Sequence, residues 1–109
     1  MGKSQRTKGH QFERRVAADM REIGYEEARR QLEYNEDDAN GIDIQNTKPF
    51  AVQCKAMKQQ PNVPKVMKEI KHSFDEIPVV VYKVDNKGIF AAFRYEDALD
   101  MMKVFKDTN

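Results

Sequence analysis

The chain has 109 residues, 39% of them hydrophobic and 34% charged, which fits one modest core under an ionic surface and leaves little room for a second domain. Apolar runs recur along most of its length, which excludes a disordered chain, and none approaches the roughly 20 residues needed to cross a bilayer. The net charge of +1 conceals segregation. Lys3, Arg6, Lys8, Arg14 and Arg15 stand against only Glu13, and Lys55, Lys58, Lys65, Lys68 and Lys71 against only Glu69. Glu33, Glu36, Asp37, Asp38 and Asp43 occur with no base among them. Basic segments suit a polyphosphate partner and an acidic one suits a divalent cation; solvated surface with chance clustering is the plain alternative.

Residues 1–8 read as a flexible basic arm and residues 9–109 as a single domain. The polar N-terminus lacks the apolar core of a secretory signal. The lone Cys54 cannot close an internal disulfide, so a reduced, cytoplasmic protein without membrane attachment is expected. A helix is predicted from about His10 to Ile23, with Phe12, Val16, Met20 and Ile23 at helical spacing and Gly24 as its stop. Ala28 to Leu32 is a short strand, and Glu33 to Gly41 a polar loop. Ile42, Asp43 and Ile44 alternate as a strand with Asp43 directed away from the apolar face. After a turn at Asn46 to Lys48, Phe50 to Ala56 alternates with period two. Phe50, Val52, Cys54 and Ala56 take one face, Ala51, Gln53 and Lys55 the other. A second helix is predicted over Val63 to Phe74, then a buried strand from Ile77 to Val84. A turn at Asp85 to Gly88, a strand from Ile89 to Phe93 and a helix from Tyr95 to Phe105 complete the chain. The expected class is α/β, a central mixed β-sheet flanked by helices.

If the two middle strands pair as a hairpin, Asp43 lies beside Gln53 and Lys55. Glu13 borders the apolar side of the first helix, where a carboxylate is costly without a partner. Two acids and an amide oxygen are a fair set for Mg2+, with Mn2+ as a substitute, because Mg2+ takes few carboxylates and keeps waters or phosphate oxygens. The backbone carbonyl of Cys54 would complete the set, while its thiol is structural. Lys55 would orient or deprotonate a water, or stabilise charge at a phosphate. Singly, each of these residues is better read as an ordinary strand or surface position. Their order and periodicity together favour a site.

Gly41-Ile42-Asp43-Ile44 followed by Gln53-Cys54-Lys55 resembles the D-(x)n-(D/E/Q)-x-K core of the PD-(D/E)XK nuclease superfamily. Lys8-Gly9 and Phe12-Glu13-Arg14 resemble the helix opening of its archaeal-type Holliday-junction resolvases. The resemblance runs from Lys8 to about Phe93. It implies a restriction-endonuclease-like core, catalysis by Glu13, Asp43, Gln53 and Lys55, Mg2+, a homodimer, and four-way DNA junctions as substrate. Gln53 departs from the usual acid and is similar to the QxK variant of Mrr-type restriction endonucleases; the amide removes a charge and predicts weaker metal binding. The proline that names the superfamily is absent before Asp43.

Lys3, Arg6, Lys8, His10, Arg14, Arg15, Lys58, Lys65 and Lys68 are candidate DNA contacts that would track phosphates without reading sequence; an ordinary surface position is the alternative for His10. His72 would sit among lysines on the second helix, phosphate-facing or merely solvated. Asp37 and Asp38 could add a metal contact, though a solvated loop is the better reading. Tyr95, Leu99, Met102 and Phe105 form a stripe on the last helix whose default role is packing on the sheet, with a homodimer interface as the further expectation. With no sequence-reading module added, structure-selective cleavage is expected over restriction. The alternatives are an Mrr-like restriction or repair nuclease acting on duplex, and a DNA-binding module that has lost catalysis.

Overall fold

Apolar side chains three and four residues apart drive the first helix, α1, which runs from Gly2 to Glu22 and buries Phe12, Val16 and Ala17. The computed structural model describes residues 2–32 and 41–108, with side chains from Thr7 onward. The acidic stretch 33–40, with Asp37 and Asp38, and the side chains of Lys3 and Arg6 lie outside the described residues. The helix starts at Gly2 rather than near His10, so the segment expected to be a flexible arm forms its first turns. Its end is closed as the sequence indicates. Gly24 adopts φ +121°, its N–H bonds Arg21 O at 3.1 Å and the Tyr25 N–H reaches back to Met20 O at 3.0 Å. This pair of bonds satisfies the last carbonyls, and the left-handed backbone at Gly24 carries no Cβ penalty.

Strands β1 (Arg29–Arg30), β2 (Ile44–Gln45), β3 (Phe50–Met57), β4 (Ile77–Val84) and β5 (Gly88–Phe93) form one sheet in the order of the chain. The β3–β4 pair is parallel and the other neighbours are antiparallel. Helix α2 (Val63–Glu69) makes the crossover from β3 to β4, and α3 (Tyr95–Thr108) follows β5. This is the mixed α/β sheet expected, with the β2–β3 hairpin in place.

Period-two alternation on β3 builds two cores. Val52 and Cys54 join Phe12, Val16, Ala17 and Ile44 under α1, while Ala51 joins Val66, Ile70 and Val80 under α2. The two helices therefore cover opposite faces. The central strands are buried on both sides, as β4's nearly unbroken apolar run implies.

Three expectations need correction. Helix α2 stops at Glu69, not Phe74, because Ile70 turns extended (φ −79°, ψ 113°) to bury its side chain. Lys71 and His72 thus leave the helix, and the bond from Ser73 N–H to Glu76 Oε1 at 2.9 Å shapes the approach to β4. The stripe on α3 does not pack on the sheet: Tyr95, Leu99, Met102 and Phe105 are 77, 47, 66 and 74% exposed. The body-facing side of that helix instead carries Asp97, buried and paired with Arg94 at 2.7 Å. Finally, Ile42 and Ile44 do not share a face. Ile42 packs in the α2-side core and Ile44 in the α1-side core, because regular β2 begins only at Ile44. Asp43 sits at that changeover.

Candidate active site

The changeover is held by Gly41. Its φ is +72°, and a Cβ there would collide with the backbone carbonyl of Glu69 at the end of α2. Only glycine permits both the turn and the close approach. The chain then passes between β1 and β3: Asp43 O accepts from Gln31 N–H at 2.6 Å, and Asp43 N–H donates to Val52 O at 2.8 Å. The Asp43 carboxylate does the next piece of pairing itself, with Oδ2 accepting from the Cys54 N–H at 2.7 Å. A side chain thereby satisfies a strand amide that would otherwise need a main-chain partner, and the carboxylate is locked at the mouth of the hairpin.

Glu13 reaches the same place from α1. Arg30 on β1 holds it, Nε to Oε1 at 3.4 Å, with both side chains only 16–17% exposed. Burial pushes the Glu13 carboxyl above its usual range and the charge of Asp43 raises it further, against the pull of Arg30 and His10. Burial also raises Asp43, opposed by the Cys54 N–H and by the charges of Lys55 and Arg30. Two carboxylates in one half-buried place, both reluctant to ionise, favour an added cation.

Across the hairpin Ile44 pairs with Val52, which brings Gln53 opposite Asp43. Gln53 is 8% exposed, and its Oε1 is buried without a hydrogen-bond partner among the described residues. A buried carbonyl oxygen left unpaired costs about 1–3 kcal/mol, a cost that persists where the atom serves a ligand. Lys55, two residues on, shares the face of Gln53 and is half-buried. Among the described residues no group of three or more His, Cys, Asp or Glu side chains could hold a metal ion. A site here would depend on the Gln53 amide oxygen alongside the two acids, the donor chemistry that suits a hard cation retaining its waters. In donor chemistry the residues fit such an ion.

Cys54 lies in the α1-side core, its thiol pushed far up by burial and by the charges of Asp43 and Glu13. It is inert as a nucleophile at neutral pH.

The structure brings Lys8 and Lys58 together along one hollow of about 390 Å³, although Lys8 is also paired with Asp85 at 2.7 Å. Exposed Arg14 and Arg15 lie on α1 and exposed Lys65 and Lys68 on α2, so these two pairs are divided between opposite faces of the sheet. Exposed Arg15 contacts Asp19 at 3.7 Å. Half-buried His10 lies near enough to Glu13 to lower its pKa. Arg30 was missed in the sequence. Its signal was an arginine two residues from the buried Ala28, at an inward position of a predicted strand.

The mixed five-stranded sheet with its three helices is an α/β fold consistent with a restriction-endonuclease-like core. The chain belongs to the restriction endonuclease family Mrr_cat, whose model matches residues 4–92, and this family lies within the PD-(D/E)XK nuclease superfamily. The match spans α1 through β5 and leaves α3 outside it. No curated protein and no solved structure gives a significant match.

Proposed function

We propose that this nuclease domain is a metal-dependent DNA endonuclease acting at Glu13, Asp43, Gln53 and Lys55, and that its preferred substrate is branched DNA such as a Holliday junction. The observation that carries the site is the buried Oε1 of Gln53, unpartnered among the described residues, opposite a carboxylate whose own pKa is raised. Asp43, Glu13, Gln53 Oε1 and the Cys54 carbonyl would hold Mg2+, with Mn2+ in its place when supplied. The bound ion supplies Lewis acidity toward the scissile phosphate and toward a water.

The protein's own groups do the rest. Asp43 keeps one orientation because the Cys54 N–H fixes it. Lys55 donates a hydrogen bond to a non-bridging phosphate oxygen and stabilises the charge that builds as water adds to phosphorus and the P–O bond breaks. Arg30 holds the Glu13 carboxylate in place, and its guanidinium would also suit a phosphate oxygen.

A second copy would dock on the exposed stripe of α3, giving one active site per strand of a junction. Exposed Glu96 and Asp100 precede exposed Lys103 and Lys106 along that helix, so antiparallel pairing sets opposite charges against each other. Light scattering that finds only monomer at micromolar concentration would remove the dimer. The protein would act in the cytoplasm, where a free buried Cys54 stays reduced.

The family match favours a second reading, an Mrr-like nuclease that cuts ordinary duplex. Incubating the protein and Lys55→Ala with a four-way junction and with its linear arms, with and without Mg2+, separates the two. Junction cleavage that needs both Mg2+ and Lys55 supports the first reading. Equal cleavage of the arms supports the second.

A further inference from the structure

The β3–β4–β5 register places residues that the sequence keeps far apart in one row. Lys55 pairs with Tyr82, and Tyr82 with Phe90. Directly opposed residues share a face, so the row runs on the α2 side of the sheet from the candidate catalytic lysine to the free edge. The two rings are stacked, centroids 5.5 Å apart and 30° between planes. Helix α2 buries Val66 and Ile70 with Ala51 and Val80, which belong to earlier rows of the strands. Phe90 remains 45% exposed.

Beside Phe90 is a hollow of about 470 Å³ bounded by Lys58, Gln59, Gln60, Val84 and Lys87. Its lining holds two lysines and no acid. The nearby Asp85 is occupied by Lys8, at 2.7 Å. An aromatic face, cations on either side and side-chain amides make a poor site for a peptide or a lipid chain. They suit a nucleobase, whose ring stacks on Phe90 and whose phosphates meet Lys58 and Lys87.

We propose that Tyr82 and Phe90 form a stacking platform for one unpaired base of a branched DNA, next to the phosphate engaged by Lys55. This deepens the nuclease reading and rests on its placement of DNA at Lys55. Inside a duplex each base is already stacked on its neighbours. The platform therefore rewards only a base released at a branch or flap, and would select substrate by structure rather than by sequence.

The test measures binding, in EDTA, to a duplex bearing a single-stranded flap with 2-aminopurine at the first unpaired position, and to a linear duplex carrying the same probe internally. The wild type should bind the flapped DNA more tightly and quench its fluorescence. Phe90→Ala should weaken flap binding about tenfold, the value of one lost base stack, abolish the quench and leave duplex binding unchanged. Phe90→Trp should restore both. Phe90→Leu, which keeps apolar packing on Tyr82, should lose the quench without loss of melting temperature, so a poorly folded alanine variant does not decide the matter. Absence of a quench in the wild type, an equal loss on duplex, or a change only in oligomeric mass would overturn the platform. Failure of the nuclease reading is seen elsewhere, as absent Mg2+-dependent cleavage in the wild type, while the quench reports on Phe90 without metal.

Discussion

The two faces of β3 differ sharply although they alternate residue by residue. Toward α1, Val52 and Cys54 meet Phe12, Val16 and Ile44, and every side chain in that core is apolar and close-packed. Toward α2, Gln53 is equally buried yet leaves an acceptor without a partner among the described residues, and Lys55 follows it. One face repays the entropy of folding. The other leaves some of that stability unrealised, the pattern expected where function competes with folding.

The largest effect should come from the second face. Lys55→Ala or Asp43→Asn should lower metal-dependent cleavage about a thousandfold, read from initial rates of nicking on labelled DNA, with little change in melting temperature for Lys55→Ala. If either variant cuts at the wild-type rate, the two faces do not differ in the way described. Val52→Ala, on the first face, should do the reverse. Denaturant unfolding should show a loss of about 2 kcal/mol for the deleted methyls and the cavity they leave, while metal affinity is retained.

Smaller, and opposite in sign, is Gln53→Leu. Removing the orphaned acceptor should stabilise the metal-free chain by about 1 kcal/mol and abolish its metal binding. Destabilisation would mean that Gln53 is a structural residue.

The smallest effect is on pH dependence. Burial raises both Glu13 and Asp43 above their ordinary values, so between ordinary and raised values the folded chain holds more protons than the unfolded one. Stability of the metal-free protein should accordingly fall as pH rises through that window and recover as pH is lowered into it. Metal affinity should change the other way, weakening as the carboxylates take up protons. Melting curves over a pH series in EDTA check this, and Asp43→Asn should flatten the slope.

The first face was nearly all legible in the sequence, because period two on Phe50–Ala56 and helical spacing on Phe12–Met20 are local patterns that burial enforces. The order Glu13, Asp43, Gln53, Lys55 singled out the candidate site residues in the sequence. Their geometry was less so. Alternation wrongly put Ile42 and Ile44 on one face, since nothing local announces that Gly41 must tuck beneath the end of α2. Arg30 beside Glu13 and Lys55 beside Tyr82 depend on contacts between segments well separated in the chain, which no local window of sequence contains. The α3 stripe was read correctly as apolar and wrongly as covered by the sheet, because periodicity tells that a face seeks a partner without telling which.

Calorimetric titration of the DNA-free protein with Mn2+ tests the central claim most directly, using the wild type, Gln53→Leu and Gln53→Glu. A single saturable site is expected in the wild type, with its loss in Gln53→Leu and tighter binding in Gln53→Glu as the added charge joins two carboxylates. Identical isotherms for all three proteins would contradict that claim.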